Sequence, residues 1–228
     1  MRKSHTVRHV DSLFDVSSKT VLVTGGSRGI GRMIANGFVE RGATVYISSR
    51  KESELCATAD EIGATALPGD LSTEAGARAL AAQLAEREPK LHVLVNNAGA
   101  TWGAPLAEYP DAAFDKVFST NVKGPFHLTR ALLPLLEKAV DPGDPARVIM
   151  VGSIEGIMVP EWENYAYPAS KAAIHMLTRQ LASNLRPNVT VNAIAPGLFA
   201  SRMTAFAFDD EAVASARSQS STCWQPLL

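Results

Sequence analysis

Two residues four positions apart, the tyrosine and lysine of Tyr167-Pro168-Ala169-Ser170-Lys171, have the spacing that places two side chains on one face of a helix. A free tyrosine keeps its proton well above neutral pH, so it is a poor acid or base by itself. A lysine one helical turn away favours the phenolate and lowers the pKa of the phenol. The pair predicts a proton donor with a cation beside it; a structural tyrosine with a solvated lysine is the alternative.

Two further polar residues could act together with that pair. Ser153 follows an aliphatic run, Arg147–Val151, and its hydroxyl could hydrogen-bond the carbonyl oxygen that receives the proton of Tyr167. Asn121 lies early in a long helix-like stretch, although asparagine is a mediocre helix former. It could relay protons through a water bound to the backbone, or it could be an ordinary exposed asparagine.

A glycine-rich stretch, Thr24-Gly25-Gly26-Ser27-Arg28-Gly29-Ile30-Gly31, ends one strand-like run and opens a helix-like one. Its glycines permit a tight turn whose backbone can approach a pyrophosphate, which then sits at the helix N-terminus. An ordinary glycine turn is the alternative, and the position between strand and helix argues against it. Together with Tyr167 and Lys171, the stretch predicts a hydride-carrying dinucleotide and an enzyme that interconverts a carbonyl and an alcohol.

The end of the second strand-like run favours a phosphorylated dinucleotide. Many NAD-binding domains place an acid there, which accepts hydrogen bonds from the 2′-hydroxyl of the ribose. This chain has Ser48, Ser49, Arg50 and Lys51 instead, and serine and arginine can bind a 2′-phosphate. With Arg28 as a second cation, the pattern predicts NADP(H); a solvated basic loop is the alternative.

Three later turns complete the expected cofactor site. Asp70-Leu71 could accept the adenine amino group, although a turn-capping aspartate would look the same. Asn96-Asn97-Ala98-Gly99 ends a strand-like run, where the ligand crevice of such sheets opens. Pro196-Gly197, with Phe199 and Ser201 beyond, is expected to form a wall of the nicotinamide pocket, and Tyr167 and Lys171 to contact the cofactor as well as the substrate.

The elements that must position these residues alternate between strand-like and helix-like patterns. Continuous aliphatic runs such as Val21-Leu22-Val23 are typical of strands buried on both faces. The alternation predicts an α/β Rossmann-type doubly wound parallel sheet of six strands. The predicted strands are Thr20–Thr24, Thr44–Ser48, Thr65–Leu67, Val93–Asn96, Arg147–Val151 and Val189–Ile194, and the predicted helices Gly29–Arg41, Glu52–Ile62, Thr73–Glu88, Pro110–Ala139 (with a break) and Tyr165–Leu185.

Composition limits the classes of function. The chain has 228 residues, 46% of them hydrophobic, and a net charge of −1, which suits one globular domain and gives no indication of nucleic acid or an anionic membrane as partner. The sequence shows no secretory leader and no apolar run of membrane-spanning length. Two lone cysteines, Cys56 and Cys223, favour a reducing compartment, the cytoplasm or an organellar matrix. The histidines lack ligand-like spacing, so no metal site is expected.

The motifs TGGSRGIG, NNAG and YPASK, with Asn121, Ser153 and the Pro-Gly turn, resemble the short-chain dehydrogenase/reductase family over about residues 18–205. The resemblance implies a Rossmann-type fold, Asn121, Ser153, Tyr167 and Lys171 as a catalytic tetrad, and a small-molecule carbonyl or alcohol substrate. The stretch from Asn192 to Thr204 is most similar to NADPH-dependent 3-oxoacyl reductases of the rhamnolipid-biosynthesis type. A sugar or polyol dehydrogenase on the same fold is the alternative.

The predicted organisation has three parts: an N-terminal extension over 1–17, an NADP(H)-binding catalytic domain over 18–205, and an atypical, truncated C-terminal tail over 206–228. Members of the family usually continue into a further helix and a seventh parallel strand, for which the tail shows no pattern. The family resemblance implies a homotetramer or dimer, and the tail predicts a less stable chain that does not assemble cleanly. A truncated, catalytically silent nucleotide-binding form is therefore a second functional hypothesis.

Overall fold

Six strands alternate with helices in the computed structural model, which describes residues 14–160 and 162–199. The tail predicted over 206–228 and the predicted site residue Ser201 lie outside the described residues, as does most of the predicted extension over 1–17. The strands are β1 (Thr20–Thr24), β2 (Thr44–Ser48), β3 (Thr65–Ala66), β4 (Val93–Asn96), β5 (Ala146–Val151) and β6 (Val189–Ile194), and the helices α1 (Gly29–Val39), α2 (Glu52–Ile62), α3 (Glu74–Ala85), α4 (Asp111–Phe118), α5 (Gly124–Glu137) and α6 (Ala166–Leu185).

The strands form one parallel sheet in the order β3-β2-β1-β4-β5-β6. The chain moves outward from β1 to β3, then crosses back to lay β4 on the other side of β1. At such a switch point the loops after the two central strands diverge and open a crevice at the carboxyl edge of the sheet. The predicted Rossmann-type sheet is confirmed, with six strands among the described residues and β6 at one edge.

The core has two layers because successive strand residues point to opposite faces of the sheet. Val21 and Val23 pack on the face covered by Leu55 of α2, whereas Leu22, between them, packs on the face covered by Leu132 of α5. All of these side chains are fully buried. Burial on both faces explains the unbroken aliphatic runs of the central strands.

The long helical stretch predicted around Asn121 is interrupted by a π-helical turn, Ser119–Lys123, between α4 and α5. Pro125 explains the interruption, because a proline has no N–H to donate to the carbonyl four residues earlier. The carbonyl deprived of its α-helical donor is that of Asn121. The break therefore falls at a predicted site residue.

The other predicted elements match within one or two residues at most ends, and α2 and four strands match fully. Strand β3 stops one residue before the predicted end at Leu67, while β5 starts one residue earlier, at Ala146. Helices α1 and α3 end two and three residues before their predicted ends. Across 14–160 and 162–199, no helix combines the length and the apolar character needed to cross a membrane, and no cluster of side chains could hold a metal ion.

Candidate active site

A cavity of about 840 Å³ runs along the carboxyl edge of the sheet, from the end of β2 to the end of β5. Most of the residues that the motifs predict as site residues line it. They are Gly25, Ser27, Arg28, Gly29, Ile30, Ser49, Arg50, Asp70, Leu71, Asn97, Ala98, Gly99, Ser153, Tyr167, Lys171, Pro196, Gly197 and Phe199. Gly31 and Asn121 do not line the cavity, and Ser201 is outside the described residues.

The glycine-rich turn presents the start of α1 to the cavity. Gly29 has a φ of +54°, which glycine adopts without strain, and a side chain at this position would point into open space. No side chain caps the N-terminus of α1, so the first N–H groups of the helix are left for an anion. Gly31 lies behind this surface: a Cβ atom there would overlap the Gly25 carbonyl and the Asn97 amide. Its role is to let the helix pack closely against the turn.

The end of β2 offers hydroxyl groups and cations to the same cavity. The hydroxyl oxygens of Ser48 and Ser49 are buried and have no hydrogen-bond partner among the described residues. Arg50 follows them, and the guanidinium of Arg28 faces the carboxylate of Glu54 at 3.8 Å. Buried hydroxyl groups without partners are costly, so they indicate a ligand that supplies acceptors.

Asp70 caps a turn at the wall of the cavity, and its contact with the adenine amino group stays a prediction. Its carboxylate accepts a 2.9 Å hydrogen bond from the backbone N–H of Ser72, which is a turn cap, and it also lines the cavity. That hydrogen bond, helped by the charge of Arg50, holds the pKa of Asp70 below its ordinary value. The residue is therefore a charged acceptor whose orientation the turn fixes.

Lys171 is almost fully buried beneath the cavity, with 5% of its surface exposed. Its ammonium nitrogen donates a 2.7 Å hydrogen bond to the carbonyl of Val151, the last residue of β5, and lies 5.4 Å from the centroid of the Tyr167 ring. Burial lowers the pKa of Lys171 to about 8, against the opposing charge of Glu155. Helix α6 and strand β5 thus hold a lysine that titrates close to physiological pH.

Tyr167 differs from the expectation about its ionisation. Burial raises the pKa of its phenol above the ordinary value; a hydrogen bond with Ser153 lowers it, and the charge of Glu155 raises it further. The sequence predicts that Lys171 lowers the Tyr167 pKa, but the pKa is raised. The reason is that the lysine is itself desolvated and its ammonium group bonds to the carbonyl of Val151. In this state Tyr167 is a protonated phenol beside Ser153, suited to donate a proton.

Asn121 acts as a brace in the structure. Its side-chain amide donates hydrogen bonds of 2.9 Å to the Ala100 carbonyl and to the Ser170 hydroxyl, and its oxygen accepts one of 2.7 Å from the Ala100 N–H. The residue is 2% exposed, so the exposed alternative is wrong. These bonds tie the loop after β4 to the helix that carries Tyr167 and Lys171, while the Asn121 carbonyl is left without its α-helical donor.

Several polar residues line the cavity although no motif indicated them: Arg32, Glu54, Thr58, Thr101, Lys116 and Thr120. The signal that could have found some of them is helical spacing. Thr58 follows Glu54 by four residues within α2, so the two share a helix face. Arg32 lies in the first turn of α1, directly after the glycine-rich stretch. The missing information was which face of α2 turns toward the glycine-rich turn.

Comparisons with known proteins agree with this geometry. A family model described as short chain dehydrogenase matches residues 19–212. The chain is 49% identical over 197 residues to the rhamnolipids biosynthesis 3-oxoacyl-[acyl-carrier-protein] reductase of Pseudomonas aeruginosa, an alignment that covers 84% of this chain and 77% of that protein. It is 34% identical over 186 residues to a sorbitol dehydrogenase of Cereibacter sphaeroides, which covers 80% and 71%. The structure is similar to the Pseudomonas aeruginosa RhlG/NADP active-site complex, with a TM-score of 0.87 and 45% identity over 90% of this chain and 82% of that one.

Proposed function

Because the chain belongs to the short chain dehydrogenase family, we propose that it is an NADPH-dependent reductase that converts a ketone, a 3-oxoacyl thioester in the first instance, into an alcohol. One observation carries the proposal. The cavity that Ser153, Tyr167 and Lys171 line at the β5 side is continuous with the phosphate-binding surface at the end of β2. A proton donor and a dinucleotide cradle in one cavity are what carbonyl reduction by hydride transfer requires.

The residues at the β2 side fit NADP(H). Ser48 and Ser49 present buried hydroxyl groups without partners among the described residues, and Arg28 and Arg50 add positive charge. A 2′-phosphate would supply acceptors for the serine hydroxyl groups and would attract Arg28 and Arg50, in competition with the Glu54 carboxylate that already faces Arg28. The open start of α1 would hold the pyrophosphate.

When bound along this cavity, NADPH would supply a hydride to the carbonyl carbon of the substrate. Ser153 orients the carbonyl through its hydroxyl, and Tyr167 gives its phenolic proton to the carbonyl oxygen, so that the product is a neutral alcohol and Tyr167 is left as phenolate. Lys171 stabilises that phenolate electrostatically and binds the ribose. A water held at the Asn121 carbonyl returns a proton to Tyr167.

Exposed apolar side chains support an acyl substrate over a sugar. Directly after Ser153 the chain continues through a 3-10 turn, Ile154–Gly156, to Ile157, Met158 and Val159, which are 70%, 48% and 93% exposed. These three side chains lie outside the cavity wall, and we propose that they offer an apolar chain a surface next to it. A polyol has hydroxyl groups that these side chains cannot bond. The similarity to a sorbitol dehydrogenase makes a sugar or polyol the second candidate.

Oxidation of NADPH by the purified protein, followed by absorbance, tests the proposal. A matched panel would contain a 3-oxoacyl thioester, the same ketone with a shorter chain, and a keto-sugar, with Tyr167→Phe as the inactive control. Turnover that increases with chain length supports the 3-oxoacyl assignment, and preference for the keto-sugar favours the polyol alternative. Cofactor binding without turnover of any substrate identifies the catalytically silent form.

Light scattering on the same preparation tests the tetramer or dimer that the family resemblance implies.

A further inference from the structure

We propose that Glu155 and Asn164 are positioning residues of the reductase: their hydrogen bond, the Glu155–Asn164 clamp, fixes Ser153 relative to Tyr167. The inference rests on the proposed function, in which these two residues address the same carbonyl oxygen. Neither residue of the clamp lines the cavity, and neither belongs to a motif that the sequence indicated.

A continuous chain of hydrogen bonds joins the two catalytic residues through the clamp. The Glu155 N–H donates to the Ser153 hydroxyl oxygen at 3.2 Å. The Asn164 side-chain amide donates to the Glu155 carboxylate at 2.8 Å. The Tyr167 N–H donates to the Asn164 carbonyl at 2.8 Å. Asn164 is therefore bound to the Ser153 loop by its side chain and to the first turn of α6 by its backbone.

The clamp closes a junction that is already tightly packed on its other side. Gly156, at the end of the 3-10 turn, lies so close to α6 that a Cβ atom there would be 2.6 Å from the Lys171 carbonyl carbon. Asn164 is 8% exposed, and its side-chain oxygen is buried without a partner among the described residues. An unpaired buried amide oxygen is costly. The hydrogen bond from the Asn164 amide nitrogen to Glu155 is what this side chain provides in return.

Glu155 also acts on the site through its charge. The carboxylate raises the pKa of both Tyr167 and Lys171, so it favours the protonated form of each. One helical turn after Lys171, burial and the charges of Lys171 and Arg179 lower the pKa of His175, which favours its neutral form. Glu155 thus keeps a phenol protonated for donation and a buried lysine charged, in addition to holding the loop.

Four variants of the full chain separate these roles: Glu155→Gln, Glu155→Ala, Asn164→Ala and the double alanine variant. The clamp predicts that each alanine variant lowers kcat by about 10- to 100-fold, since small displacements of a catalytic pair are costly. The Kd of Asn164→Ala for NADPH should stay at the parent value, because this variant keeps every charge and Asn164 does not line the cavity. Cooperative urea unfolding shows that each variant is folded. Glu155→Gln keeps an acceptor for Asn164 and should retain more kcat than Glu155→Ala.

Two further readouts distinguish positioning from packing. Because burial lowers the pKa of Lys171 to about 8, kcat/KM should fall as the pH rises through that value. Loss of the carboxylate in Glu155→Gln should shift this alkaline limb to lower pH, whereas Asn164→Ala should leave the limb in place. In urea unfolding, the double alanine variant should lose less stability than the sum of the single variants, which is the signature of a shared contact.

Additive losses in unfolding, or parent-like kcat in both alanine variants, would overturn the clamp. A parent protein that reduces no carbonyl would contradict the proposed function alone, because the unfolding cycle detects the clamp without turnover.

Discussion

The ammonium nitrogen of Lys171 lies over the aromatic ring of Tyr167, 5.4 Å from its centroid, while it donates a hydrogen bond to the carbonyl of Val151. The last residue of β5 and the first turns of α6 are thereby joined through one buried cation. Burial disfavours the charged form of both side chains. It therefore raises the pKa of the Tyr167 phenol and lowers the pKa of Lys171.

Replacing Tyr167 by phenylalanine should reduce kcat by about 10²- to 10⁴-fold, because the phenolic proton is needed for the chemical step. Binding of NADPH should survive, since the ring and its neighbours remain. Turnover and a cofactor titration measure the two effects separately. Tyr165→Phe is the matched control, because its hydroxyl bonds to Glu163 at the surface. A parent-like kcat in Tyr167→Phe would remove this residue from the mechanism.

The charge of Lys171 should set an alkaline limit to reduction. An ammonium group carries its charge below its pKa and loses it above, and burial lowers the pKa of Lys171 to about 8. Because the phenol of Tyr167 has a raised pKa, it stays protonated over the same range. We therefore expect kcat/KM to fall as the pH rises through about 8, as a pH series at constant ionic strength would measure.

Lys171→Ala is the control for that pH profile. It should lose most turnover and part of the cofactor affinity, since the lysine has two proposed roles, and its residual rate should lack the limb near pH 8. An unchanged limb in this variant would assign the limb to another group.

Selectivity for NADPH should depend on the end of β2. An aspartate in place of Ser48 would repel a 2′-phosphate and accept hydrogen bonds from a ribose hydroxyl, so the ratio of the NADH and NADPH Kd values should shift toward NADH. Ser48→Asn is the matched control, because asparagine has the size of aspartate without its charge. It separates charge repulsion of the 2′-phosphate from steric crowding at this buried position. Equal affinity of the parent protein for NADH and NADPH would contradict the proposed role of Arg28 and Arg50 in binding the 2′-phosphate.

Glu54 should weaken NADPH binding in the parent protein, because its carboxylate faces Arg28 at 3.8 Å and lines the same cavity. Glu54→Gln should tighten NADPH by up to about fivefold, the size of a partly exposed ion pair, and leave NADH nearly unchanged. Asp60→Asn removes a charge from the exposed surface of the same helix, outside the cavity, and should change neither Kd. Titrations at two salt concentrations would show whether the gain is electrostatic.

A methyl group at Gly31 should damage the dinucleotide cradle from behind. The Cβ atom of Gly31→Ala would overlap the Gly25 carbonyl, so we expect a loss of about 1–3 kcal/mol in the free energy of unfolding, with weaker NADPH binding. Gly37→Ala lies on the same helix with room for the methyl group and should be neutral or slightly stabilising. Urea unfolding of both variants, with a cofactor titration, tests the difference.

Motifs and periodicity sufficed for the sheet and for most of the cavity wall, because both depend on local sequence. Aliphatic runs such as Val21-Leu22-Val23 encode burial on two faces, and glycine spacing encodes a turn whose backbone meets a ligand. What escaped prediction depends on contacts between distant segments. The bonds from Asn121 to Ala100 and Ser170 require two loops and a helix to meet, and the raised pKa of Tyr167 depends on burial that no spacing reports.

The π-helical turn at Ser119–Lys123 sets how α5 is rotated about the helix axis relative to α4, and the geometry of the site depends on that rotation. Such a turn is equivalent to a single residue inserted into an α-helix. Deleting one residue there would remove the π-helical turn but not Pro125, which would still donate no backbone hydrogen bond. The deletion would also rotate α5 by about 100° relative to α4. Either α5 would lose its packing in the core, or Asn121 would lose its hydrogen bonds to Ala100. This chain should therefore tolerate substitutions in the π-helical turn far better than any change in the length of the turn.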